Sequence, residues 1–81
     1  MKIKLILTPP VAELEQKLED VLLEAEEHHA DIIEISYGTH AGETKRRILN
    51  YLEHKDRRGR YNRLVKSKVG WGRVFVYFKW E

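Results

Sequence analysis

Asp31-Ile-Ile-Glu-Ile-Ser-Tyr-Gly-Thr-His-Ala-Gly-Glu-Thr-Lys-Arg-Arg-Ile-Leu-Asn-Tyr-Leu52 reads as a buried strand, a short loop bounded by Gly38 and Gly42, and a helix opening with Lys45, Arg46 and Arg47. The β-branched run Ile32, Ile33 and Ile35 suits a strand, and Ile48, Leu49 and Leu52 give the following helix an apolar face. A helix start carries unpaired N–H groups and the positive end of the dipole, so three cations there oppose the dipole. They fit a helix whose start meets a polyanion, phosphate above all.

Upstream, Lys2-Ile-Lys-Leu-Ile-Leu7 reads as a strand that becomes buried. Thr8-Pro9-Pro10 ends it, with Thr8 able to cap a helix and a proline suited to the first turn. Val11, Leu14, Leu18, Val21, Leu22 and Ala25 then recur at spacings of three and four, which predicts an acidic amphipathic helix from residue 11 to between Glu27 and Ala30. A strand, a helix and a strand joined at this length imply a right-handed parallel unit. Downstream, the second helix spans Gly42 to His54, and Lys55–Arg60 is a basic, flexible loop with Gly59 as its turn residue. Tyr61–Lys68 and Arg73–Trp80 are strands, and the latter is apolar or aromatic on both faces, as a central strand should be. Phe75, Tyr77 and Trp80 are expected in the core or against the helices. The expected fold is α+β: a βαβαββ two-layer sandwich with a mixed four-stranded sheet and two helices on one face, one domain over residues 1–81.

The net charge of +2 hides an asymmetry. Residues 1–44 hold three basic and ten acidic residues, a net of −7; residues 45–81 hold twelve basic and three acidic, a net of +9. Either one surface gathers phosphate while another repels it, or the two halves neutralise each other across the fold. The absence of cysteine excludes disulfides and Cys-based metal sites. No apolar run approaches the roughly 20 residues of a membrane span, and residues 1–8 are too short for a secretory signal, so a cytoplasmic protein is expected.

Three segments resemble the Smr (small MutS-related) domain, whose fold is shared with the C-terminal domain of translation initiation factor three. Leu5-Ile-Leu-Thr-Pro9 falls in the place of the family's Leu-Asp-Leu-His-Gly signature. Ile35-Ser-Tyr-Gly-Thr-His-Ala-Gly42, followed by Glu43-Thr-Lys-Arg-Arg-Ile48, resembles the His-Gly-x-Gly strand end and the basic helix after it. Gly70-Trp-Gly-Arg-Val-Phe-Val76 resembles the closing glycine turn and strand. The resemblance covers nearly the whole chain and implies three parallel strands with the last antiparallel. It also implies a nucleic-acid partner, DNA or RNA, and a link to endonuclease activity; because phosphate contacts are independent of sequence, recognition by shape is expected. Yet Ile6 stands where the first signature has Asp and Thr8 where it has His. Tyr37 replaces the second signature's His, Gly38 is kept, and His40 occupies its second Gly position.

The candidate sites follow from the residues. Gly38-Thr39-His40-Ala41-Gly42 could cradle a phosphate through backbone N–H groups, or could be an ordinary strand-to-helix connection. It is not a Walker A loop, since Glu43 stands where that motif's Lys would be. His40 is the candidate general acid or base, or else a solvated loop residue. His28 and His29 suit the end of an acidic helix, and His54 is expected to be exposed. No His pair has the i, i+4 spacing of a metal site. Arg57, Arg58, Arg60 and Arg73, with Arg63, Lys66 and Lys68, could track a sugar–phosphate backbone. Trp71 and Tyr37 could stack on an unpaired base or pack on the core. The expected function is phosphate-backbone binding without a cofactor. The alternatives are a divergent endonuclease using His40, the one case in which a divalent metal could assist, and a module whose acidic first helix docks a basic protein.

Overall fold

A computed structural model of the chain describes residues 1–7, 12–38, 42–66 and 72–80. Five-residue β1 (Lys2–Ile6) is followed by helix α1 (Leu14–His28), β2 (Ile32–Ser36), helix α2 (Gly42–Glu53), a single 3₁₀ turn (Arg58–Arg60), β3 (Arg63–Lys66) and β4 (Arg73–Tyr77). The sheet order is β1-β2-β4-β3. β1 runs parallel to β2, and β4 is antiparallel to both β2 and β3. Three strands therefore share one direction and the last opposes them, the expected mixed arrangement, with β4 central.

Register decides which side of the sheet each residue serves. Ile3 pairs with Ile33, which pairs with Val76, and Ile35 with Val74. These side chains are closed off by Leu14, Leu18, Val21, Leu22 and Ala25 of α1 and by Ile48 and Leu52 of α2. The alternate residues, Lys2, Lys4, Ile6, Ile32, Glu34, Ser36, Arg63, Val65, Arg73, Phe75 and Tyr77, line the face turned away from the helices. Phe75 and Tyr77 are thus not core residues, contrary to expectation. Each face of β4 carries large apolar residues, so periodicity alone leaves the phase open. Trp80 is half-exposed; it donates from Nε1 to the Ala30 carbonyl at 2.7 Å and stacks on His29 at the end of α1.

The helix limits carry two corrections. α1 begins at Leu14, later than the periodicity from Val11 implied. Glu13 adopts a left-handed backbone (φ 55°, ψ 39°) with no side-chain cap, so the helical run cannot extend through it. Thr8, Pro9, Pro10 and Val11 lie outside the described residues. At its other end His29 is also left-handed, and the Ala25 carbonyl accepts from the Ala30 N–H at 2.9 Å, closing the helix. The segment expected as a flexible basic loop contains the 3₁₀ turn and is tied to its surroundings by Arg57 and Arg60. No helix among the described residues is long and apolar enough to cross a membrane.

Candidate nucleic-acid interface

The carboxyl ends of β1 and β2, the start of β4 and the start of α2 all lie at one end of the sheet, because β4 alone runs in reverse. There Tyr37 N–H donates to the Gly72 carbonyl at 2.8 Å, pinning the exit of β2 to the approach of β4. Gly38 (φ +87°) and Gly72 (φ +58°) both need the backbone freedom of glycine. At Gly72 a Cβ would also collide with the Gly38 carbonyl, so these two backbones approach as closely as side-chain-free residues allow. Ser36 pairs with Arg73 at the same end, so Arg73 follows Gly72 directly at the start of β4. α2 then starts at Gly42, bringing Lys45 and Arg46 to its positive end.

The three helix cations are not equivalent. Arg47 forms a two-pronged pair with Glu15 of α1, Nη2 to Oε1 at 2.9 Å and Nε to Oε2 at 3.2 Å. That pair holds Glu15 below the usual carboxylate range. Neither Lys45 nor Arg46 makes an ion pair among the described residues. Both stand available at the helix start, Lys45 half-buried and Arg46 exposed.

The arginines at 57, 58 and 60 lie elsewhere. α2 is 12 residues long, or about 18 Å at 1.5 Å per residue, so they sit at its far end. The Asn62 N–H bond to the Tyr77 carbonyl places this segment where β4 ends, opposite the glycines. Arg60 bridges Glu19 at 2.9 Å and Glu26 at 2.6 Å, and Arg57 donates to the Tyr51 carbonyl at 2.6 Å while its guanidinium lies 3.8 Å over that ring. The Tyr51 hydroxyl also donates to Glu19 at 2.6 Å. Glu19 is held below its usual range, first by Arg60 and then by Tyr51. Only Arg58 of the three is exposed and makes no such contact. One continuous track from the helix cations through 57–60 to Arg73 is therefore not what the fold builds. The acidic and basic halves neutralise each other along the α1–α2 seam, and at the glycine end Lys45 and Arg46 have no ion-pair partner among the described residues.

Sequence reading missed this seam as a unit. Its signal was present: Glu15 and Glu19 are spaced i, i+4 on one helix, and Arg47 and Tyr51 are spaced likewise on the other. Tyr37 is 5% exposed, and burial pushes its phenol up, so its ring packs in the core and presents no face to a base. Thr39, His40 and Trp71 lie outside the described residues. Ile6, in the position of the signature Asp, is 74% exposed on the open sheet face. Ile6 has no metal-ligating atom, Tyr37 is buried, and no group of three His, Asp or Glu side chains among the described residues could hold a metal ion.

Comparison with known proteins places this architecture. The structure superposes on the crystal structure of the Smr domain of Thermus thermophilus MutS2 with a TM-score of 0.78, covering 95% of this chain and 98% of that one. The fold is that of an Smr domain. Sequence identity is 17%, and the Smr likeness therefore lies in the path of the backbone. No family model matches the sequence, and no curated protein does. Within the Smr fold, the glycine crossing and the start of α2 occupy the end of the sheet where the degenerate signature segments fall.

Proposed function

We propose that this chain is a nucleic-acid-binding domain that grips the phosphate backbone of DNA or RNA at the glycine end of its sheet. Lys45 and Arg46 neutralise phosphate, the positive end of the α2 dipole assists, and Arg73 extends the site. The observation that carries this reading is the selective pairing of the arginines. Arg47 and Arg60 are engaged by α1 carboxylates, whereas the two cations at the positive end of α2 are not. Contacts of this kind position a polymer without reading its sequence, so structured or branched substrates are recognised by where their phosphates lie.

The test is anisotropy of labelled duplex DNA, branched DNA and hairpin RNA, titrated with salt. Three phosphate contacts give a log–log slope on duplex DNA of about −2.7, at roughly −0.9 each. Replacing Lys45 and Arg46 with Glu is expected to flatten that slope by about 1.8. A slope unchanged in the double variant would refute the site.

A further inference from the structure

The face of the sheet turned away from the helices has a composition that folding does not require. Its cross-strand rows run Lys2–Ile32–Tyr77–Arg63, then Lys4–Glu34–Phe75–Val65, then Ile6–Ser36–Arg73. Phe75 and Tyr77 are half-buried here and stand two residues apart on the central strand. Four cations flank them. Glu34 is the one carboxylate on the face among the described residues, and Lys2 pairs with it at 3.1 Å. The Arg63 guanidinium lies 4.7 Å over the Tyr77 ring, adding a flat, cationic surface to the aromatic one.

We propose that this open sheet face binds single-stranded nucleic acid, with unpaired bases stacking on Phe75 and on the Arg63–Tyr77 pair while Lys4 and Arg73 meet the phosphates.

Charge and shape choose this occupant. Aromatic rings with interleaved cations match a polymer that alternates flat bases and phosphates, and a four-stranded sheet of this size presents room for about two or three bases. A duplex hides its base faces and can use only the cations. A second copy docking face to face about a two-fold axis would oppose cationic surfaces, which repel. An acidic peptide would satisfy the cations and leave Phe75 without a role. The inference rests on the nucleic-acid reading above for the class of polymer, but it uses a separate surface joined to the first through Arg73.

Labelled oligo(dT), oligo(U) and duplex DNA are titrated into the wild-type chain, Phe75→Leu, and the Lys45→Glu/Arg46→Glu variant. Leucine keeps the apolar bulk and removes the stacking plane. Phe75→Leu is expected to weaken both single strands by about tenfold, within the range of one lost base stack, and to leave duplex affinity unchanged. The Lys45/Arg46 variant is expected to lose duplex and keep most single-strand binding. Equal single-strand affinity in wild type and Phe75→Leu overturns the proposal, as does an equal loss on duplex and single strands. Duplex binding without single-strand binding overturns this proposal alone; no binding of any polymer overturns both. Amide shifts in the wild-type chain give a second reading that no substitution can spoil. Oligo(dT) should move Lys4, Glu34 and Phe75 and leave Ile48 and Leu52 in place; the reverse pattern, or shifts of the sheet face with protein concentration alone, refutes it.

Discussion

Replacing Gly72 with Ala should be among the most damaging single-methyl changes in this protein. The added Cβ would fall 2.5 Å from the Gly38 carbonyl carbon and closer still to its oxygen, both backbone atoms that cannot swing aside. The left-handed backbone at φ +58° adds a penalty of about 1–2 kcal/mol for a residue bearing a Cβ. Relieving the clash requires the two segments to part, which stretches the Tyr37 N–H bond to Gly72 and leaves a buried donor unsatisfied at about 1–3 kcal/mol. The total is about 2–5 kcal/mol, against roughly 4–12 kcal/mol for an entire domain of this length. Thermal unfolding followed by circular dichroism should show the midpoint falling by about 8–40 °C, at 4–8 °C per kcal/mol for a small domain. Gly38→Ala is the control. Its φ of +87° is also unsuited to alanine, but nothing among the described residues lies within 4 Å of the new methyl, so only the backbone penalty applies. A Gly72→Ala protein as stable as Gly38→Ala would refute the close approach of the two backbones.

Two further outcomes concern the seam between the helices. Arg60→Ala should cost about 1–2 kcal/mol in urea unfolding, since its two carboxylate partners are partly shielded from solvent and are left without it; a loss under about 0.3 kcal/mol, within the scatter of surface changes, would mean the bridge is only a surface pairing. Glu15 and Glu19 bind protons less tightly folded than unfolded, because Arg47 and Arg60 stabilise their charged forms. Their contribution is therefore fully present above the unfolded carboxylate pKa of about 4.3 and is lost as pH falls through the lower folded values. The stability of the wild-type chain should decline below about pH 5, and the double variant Arg47→Ala/Arg60→Ala should show a shallower decline. Parallel pH profiles would show that these pairs do not set acid sensitivity.

What local pattern fixes was legible from the residues. The apolar positions Leu14, Leu18, Val21, Leu22 and Ala25 sit at helical spacing and are all buried as that spacing demands. The β-branched run at 32–35, the glycines at 38 and 42 and the doubly apolar last strand sufficed for the order of elements and for a central fourth strand. Pattern could not assign Phe75 and Tyr77 to a face, because β4 carries large residues on both and only pairing with β2 and β3 selects its phase. Nor could it say which of twelve cations in the second half are free. Charge is counted along the chain, but neutralisation acts across a few ångströms, and α1 stands beside α2 only once the sheet has formed. Tertiary structure thus decided that Arg47 and Arg60 tie the helices together, that Lys45 and Arg46 have no carboxylate partner among the described residues, and that Gly72 must lack a side chain. The sequence by itself determined the elements and their order. Distances between residues far apart in the chain determined which of them are left to meet a ligand.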